Sequence, residues 1–178
     1  MSCKGGKDEN TYFERKPHPQ GNTKALVDAF TKGAKSSGHE VVECVVGTMN
    51  IKGCLACEYC HTKGEGKCIQ KDDMEKVYPE LAAADLVVFA SPVHYFAITG
   101  QLQSAIARFY APGKPKAQKY AMLISSASPG VYAGIEGQYK SMLGYFNAED
   151  LGIKEVFGAA NKSEATLADI EAFGASIK

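Results

Sequence analysis

A chain of 178 residues, 45% of them hydrophobic, is long enough to bury one core and short for two ordinary domains, so a single domain over residues 1–178 is expected. Its 20 basic and 20 acidic side chains cancel, which leaves no long-range field to draw it to nucleic acid or an anionic membrane and makes a small molecule the expected partner. No apolar run approaches the roughly 20 residues of a membrane span and the polar N-terminus lacks a secretory core, so a cytoplasmic protein is expected, whose six cysteines point to metal or redox work rather than disulfides.

The first sixteen residues (MSCKGGKDENTYFERK) contain no convincing buried strand. They read as a polar extension or as a weak strand through Thr11 to Glu14. A sharper reading comes from the genetic code. One synonymous coding of Asp8 to Lys16, read one base out of step, spells a start codon, the apolar run MKTLILNG and then a serine, and Cys3 to Lys7 can be encoded with AAAGGAGG, which resembles a ribosome-binding element. The hypothesis is that one base was lost near the Pro17 codon, replacing the original first strand. Sequencing the source gene decides it, because a one-base repair must restore the frame MKTLILNGSPHPQGNT.

Next comes PHPQGNT, Pro17 to Thr23, a turn that runs into a helix predicted from Thr23 to Ser37. Amides and hydroxyls at the positive end of that helix suit a phosphate monoester, although Asn22 can equally serve as a plain helix cap. Short β-branched runs at Glu40 to Val46, Asp85 to Ser91, Lys119 to Ala127 and Ile153 to Ala159 read as buried strands. Helices are predicted between and after them, over Asp73 to Ala84, Thr99 to Tyr110, Ile135 to Ala148 and Ser163 to Ile177. Such alternation implies βαβ crossovers and a parallel sheet covered on both faces.

Between the first two of these strands, Cys54, Cys57, Cys60 and Cys68 follow C-x2-C-x2-C-x7-C. Four soft thiolates on one glycine-containing loop can hold a cubane iron-sulfur cluster or a tetrahedral zinc, and a loop of bare thiols stays open beside both. His61 could replace a thiolate at zinc, and Cys44 belongs to a strand. Beyond the strand at Asp85 to Ser91 stands Pro92-Val93-His94-Tyr95-Phe96, aromatic residues at the sheet edge where planar ligands bind, which could also be core or interface residues. The following strand ends in Ser125-Ser126-Ala127-Ser128, where Ser126 and Ser128 offer polar contacts or simple turn capping.

PHPQGNT with the helix after it, SPVHYF, and the segments GYFNAEDLGI and GAANKSEATL resemble the NADPH-dependent FMN reductase-like flavoproteins of the flavodoxin superfamily. The resemblance covers nearly all of the chain after Pro17. It implies a three-layer α/β sandwich with about five parallel strands in the order 2-1-3-4-5, the first strand being degraded or replaced here. It also implies FMN, with Pro17, His18, Gln20, Asn22 and Thr23 at its phosphate, Pro92, Val93, His94, Tyr95 and Phe96 along its ring, and Ser126 and Ser128 at its polar edge. The family has Gly and Ser where this chain has Arg15 and Lys16, a departure that bears on cofactor affinity.

The cysteine spacing is similar to that of iron-sulfur flavoproteins, a branch of the same superfamily with a [4Fe-4S] cluster beside FMN. That likeness makes Cys54, Cys57, Cys60 and Cys68 the expected metal ligands. The leading expectation is an oxidoreductase taking hydride from NAD(P)H and reducing a flavin, quinone or other small acceptor, with no general acid or base demanded. The alternative is an electron carrier fed by a ferredoxin-like donor, and a further one is a non-catalytic zinc-binding module. A homo-oligomer is implied, because relatives often complete the flavin pocket across a dimer interface.

Overall fold

A computed structural model describes residues 20–178 in full and the backbone of residues 9–14. Five parallel strands form one sheet in the order β2-β1-β3-β4-β5. They are β1 (Glu9–Glu14), β2 (Glu40–Val45), β3 (Leu86–Pro92), β4 (Lys119–Ser126) and β5 (Glu149–Phe157). The helices are α1 (Asn22–Ser36), a single turn α2 (Tyr59–Thr62), α3 (Met74–Ala83), α4 (Gly100–Arg108), α5 (Ala133–Phe146) and α6 (Glu164–Ala175). This is the flavodoxin-like architecture expected.

Period-two side-chain alternation explains how one sheet supports two cores. On β3, Val87 and Phe89 join the cluster under α3, α4 and α5, whereas Leu86, Val88 and Ala90 join the one under α1 and α6. The same division separates Tyr120, Met122 and Ile124 from Ala121 and Leu123 on β4. Helices α1 and α6 lie close enough that a methyl group built on Gly174 would stand 2.2 Å from the Phe30 carbonyl oxygen, and one on Gly33 would stand 1.9 Å from that of Glu171. Glycine at both positions is what lets the two backbones touch.

Predicted boundaries move by a residue or two at most ends, with two larger differences. β5 begins at Glu149, four residues before the predicted Ile153. It is an edge strand, where the polar start Glu149-Asp150 is tolerated, and a bulge sits opposite the Tyr120 to Met122 step. Gly152 there has φ +116°, and the Asp150 carboxylate accepts the Gly152 amide at 2.8 Å and the Tyr139 hydroxyl at 3.0 Å. The other difference concerns the N-terminus. The backbone of ENTYFE forms an interior strand between β2 and β3, so the polar-extension reading gives way to the strand reading. The register sets Thr11 beside Val42 and Val87, and Phe13 beside Cys44 and Phe89. All four neighbours are buried.

Candidate functional site

In a sheet ordered 2-1-3-4-5 the order in which strands are added reverses between β1 and β3, which opens a crevice at their carboxyl ends. Three segments border it: the start of α1, the loop from β3 to α4, and the turn after β4. Pro17 and His18 lie outside the described residues, as do Arg15 and Lys16. Gln20 is exposed, and α1 begins at Asn22 behind Gly21, which caps the helix without a side-chain bond. The plain capping role considered for Asn22 therefore falls to the Gly21 backbone. Ala25 is the first residue whose amide closes the helical ladder, onto the Gly21 carbonyl at 3.1 Å, so the helix start presents earlier amides to the crevice. Thr23 is buried, and its hydroxyl shares a 2.6 Å hydrogen bond with Ser125. Its side chain ties α1 to β4, which leaves its backbone for an anion.

Beyond β3 the chain folds into a tight turn. Pro92 and Val93 are half-buried, and the Val93 amide donates to the Ser125 carbonyl at 2.9 Å. His94 and Ala97 exchange backbone hydrogen bonds of 2.9 and 3.1 Å, which forces the two residues between them into left-handed backbone, Tyr95 at φ +48° and Phe96 at φ +64°. For bulky side chains this conformation costs about 1–2 kcal/mol each. The cost brings little burial, since Tyr95 is 99% exposed and Phe96 65%. The core alternative for these aromatics is thereby removed, and two planar side chains stand at the rim of the crevice. Thr99 closes the segment: its amide donates to the Ser91 hydroxyl at 3.1 Å, and its own hydroxyl caps α4 at the Leu102 amide.

Ser126 is committed elsewhere than expected. Its buried hydroxyl donates to the Ser128 carbonyl at 2.7 Å and meets the Tyr132 hydroxyl at 2.6 Å, while its carbonyl accepts the Asn161 amide at 2.9 Å. It shapes the turn and leaves contact with a ligand to exposed Ser128 and to the backbone. Ser125, Tyr132 and Asn161 were not singled out in the sequence. Their signal was weak, because small polar residues after a strand look alike until packing decides which of them turn inward.

The cysteine loop leaves β2 and runs along α4. Its base is closed by paired bonds: the Asp73 amide donates to the Asn50 carbonyl and the Asn50 amide to the Asp73 carboxylate, at 3.1 and 2.7 Å. The Lys52 and Met74 amides donate to the Asp72 carboxylate, each at 3.1 Å. Cys54, Cys57, Cys60 and Cys68, all thiols, line one shallow pocket with Arg108 and Tyr110. Left-handed backbone at Ala56 and Glu58 bends the loop around it. Burial pushes the Cys60 thiol up from its ordinary value. His61 is held by the Tyr110 carbonyl at 2.8 Å and packs edge-on against the Tyr110 ring. Among the described residues, no three histidine, cysteine or acidic side chains converge closely enough to hold a metal as they stand. The donor set nevertheless fits a four-thiolate group in kind and number, four sulfurs from one loop around one pocket.

One residue there was missed. Arg108 lies on the buried stripe of α4 with Leu102 and Ala105, and a cation at the third place of such an i, i+3, i+6 stripe was a readable signal. It forms a buried ion pair with Asp72 at 2.7 Å, both side chains being 1% exposed. Burial opposes ionisation of Asp72, but bonds from Arg108 and the Lys52 and Met74 amides outweigh it and hold the carboxyl below its ordinary range.

Comparison with known proteins adds the lineage. Residues 16–163 match the NADPH-dependent FMN reductase family. The chain belongs to that family. It is thus one of the flavin-dependent oxidoreductases, a family that binds FMN, and the match begins just after β1. An iron-sulfur flavoprotein of Archaeoglobus fulgidus is 35% identical over 133 residues, 74% of this chain and 57% of that protein. Another, from Methanocaldococcus jannaschii, is 46% identical over 74 residues, 42% of this chain and 37% of that protein. The chain therefore spans less than two thirds of the length of these relatives. Among solved structures, an NAD(P)H:quinone oxidoreductase from Methanothermobacter marburgensis superposes with a TM-score of 0.71 at 15% identity over 96% of each chain. An azoreductase from Bacillus anthracis gives 0.64 at 20% identity over 94% of each. These two likenesses are of fold. Among the described residues no helix is long and apolar enough to cross a membrane.

Proposed function

We propose that this FMN reductase family member binds FMN at the crevice between β1 and β3, carries a [4Fe-4S] cluster on Cys54, Cys57, Cys60 and Cys68, and passes electrons between the two. The observation that carries the flavin part is the Tyr95–Phe96 turn, in which two aromatics in left-handed backbone stand largely exposed at the switch point. Asn22 and the Thr23 amide would hold the phosphate, Pro92 to Phe96 would border the ring, and Ser128 with the backbone of the turn after β4 would meet its polar edge. Bound there, FMN supplies hydride and single-electron chemistry, while the chain orients it and shields it from water. The cysteine pocket and the iron-sulfur flavoproteins among the relatives support the cluster. A ferredoxin-like protein is the electron donor this reading favours.

A second reading keeps NAD(P)H as the donor, with a quinone, free flavin or similar small acceptor, and is supported by the family and the fold shared with a quinone oxidoreductase. One experiment separates the readings: anaerobic purification, an absorption spectrum, and FMN, iron, sulfide and zinc quantified per chain. FMN with about four iron and four sulfide supports the first reading. Flavin bands alone, bleached by NADPH, support the second. A colourless protein with one zinc ion would overturn both in favour of a zinc-binding module.

A further inference from the structure

Among the described residues Arg108 and Asp72 form a charge pair shut away from solvent, each side chain 1% exposed, and losing one partner would strand the other as a buried charge. The environment of Arg108 has three parts. One Nη1 donates to the Lys52 carbonyl at 2.9 Å and to the Asp72 carboxylate at 2.7 Å, and Nη2 reaches the other Asp72 oxygen at 3.4 Å. Lys52 precedes the cysteine loop and Asp72 follows it, so one guanidinium holds both ends of the segment that carries the thiols. The third part is Nε, which is buried without a hydrogen-bond partner.

An orphaned buried donor is costly, about 1–3 kcal/mol, and asks for an explanation. Here the surroundings provide one. Arg108 lines the pocket that Cys54, Cys57, Cys60 and Cys68 also line, whereas Asp72 does not, so the cationic member of the ion pair is the one that borders the cysteine site. Arg108 is the one cation of that lining, and the one anion, Glu58, is engaged by the Tyr110 hydroxyl at 2.9 and 3.1 Å.

We propose that Arg108 is the positioning and tuning residue of the cysteine site, clamping the two ends of the loop and directing a fixed positive charge and a free N–H at the sulfurs of the group held there. The inference rests on the cluster reading above. A four-thiolate cluster is net negative and gains one further negative charge when a reductant gives it one electron, with no bond made or broken and no proton needed. A buried cation beside it stabilises the reduced form more than the oxidised form, and an N–H donated to sulfur acts in the same direction. The charge therefore raises the reduction potential.

The test compares the full chain with Arg108→Lys, which keeps the charge, and with Arg108→Gln/Asp72→Asn, which removes both charges without leaving a carboxylate buried alone. Each is loaded anaerobically with ferrous iron and sulfide, its iron counted, and its potential measured by dithionite titration. The expected result is equal iron in all three. The neutral double variant should shift at least tenfold toward the oxidised form, 59 mV for one electron, and the lysine variant by less. Loss of iron from the double variant alone would support the proposal as well, since the charge would then be needed to gather the thiolates. Unchanged potentials, or equal loss of iron from both variants, would overturn it. Failure of the unaltered chain to take up iron would instead overturn the cluster reading itself, and is told apart because it shows before any substitution.

Discussion

At the scale of single residues, two features carry testable energetics, the left-handed aromatic pair Tyr95–Phe96 and the buried Arg108–Asp72 ion pair. Glycine adopts left-handed backbone freely, so Tyr95→Gly and Phe96→Gly should each raise the melting temperature of cofactor-free protein by a few degrees, corresponding to roughly 1 kcal/mol of relieved strain. The same substitutions should weaken FMN binding. Melting curves with and without FMN check both halves, and a variant that gained stability while keeping full affinity would detach the turn from the ring. For Asp72 the sign follows from its lowered folded-state pKa: its contribution is full above the ordinary value of 3.8 and is lost as pH falls through the lower folded value. Acid unfolding should therefore steepen below pH 3.8, and Asp72→Asn should remove that steepening, as read by circular dichroism against pH. The loop aromatics were legible in the sequence as a group. The left-handed turn was not, because its two backbone hydrogen bonds depend on where His94 and Ala97 meet. Asp72 carried no signal alone, since a carboxylate at a helix start usually faces water and only its partner on α4 turns it inward.

At the scale of elements, four of the five strands announced themselves by β-branched runs, and the helices between them by their periodicity. β1 did not, and the physical reason is instructive. A strand with neighbours on both sides and helices over both faces ordinarily carries an apolar run, and ENTYFE is polar at Glu9, Asn10 and Glu14. In one synonymous coding read one base out of step, the same stretch would put Leu, Ile and Leu at positions 11, 12 and 13, the positions paired with buried Val42, Val87, Val88, Cys44 and Phe89. The family match that begins at residue 16 is consistent with a break in frame there. A chain whose start is repaired to MKTLILNGSPHPQGNT should be more stable by several kcal/mol, on the order of 1–3 per apolar side chain buried, and should retain a larger share of its FMN through purification than the present chain. Equal melting temperatures and equal FMN content for the two would remove that prediction.

At the scale of the whole molecule, α4 separates the two candidate sites. Its capped start at Thr99 adjoins the ring loop and its end at Arg108 adjoins the thiols, which at 1.5 Å per residue sets them roughly 13 Å apart along the helix. The sequence placed the cysteines next to the flavin loops in function but could not show this spacing, because it arises from how the long loop after β2 lies along α4. Exposed Tyr95, Phe96 and Tyr145 support the proposal that a second copy of the chain covers part of this surface. Sedimentation of the FMN-loaded protein should then give twice the mass of the chain, and a monomer would withdraw the proposal.

The knot at Asn50, Lys52, Asp72 and Asp73 has an architectural meaning as well. Because the two ends of the cysteine segment are joined side by side by their own hydrogen bonds, residues 53–71 behave as a removable cassette, and the body of the protein does not need their covalent continuity. Replacing them with a short glycine-containing turn should leave a folded flavin scaffold without iron chemistry. Transplanted between similarly spaced anchors in another flavodoxin-like protein, the same nineteen positions should keep their loop shape only where the receiving helix offers an arginine in the place of Arg108.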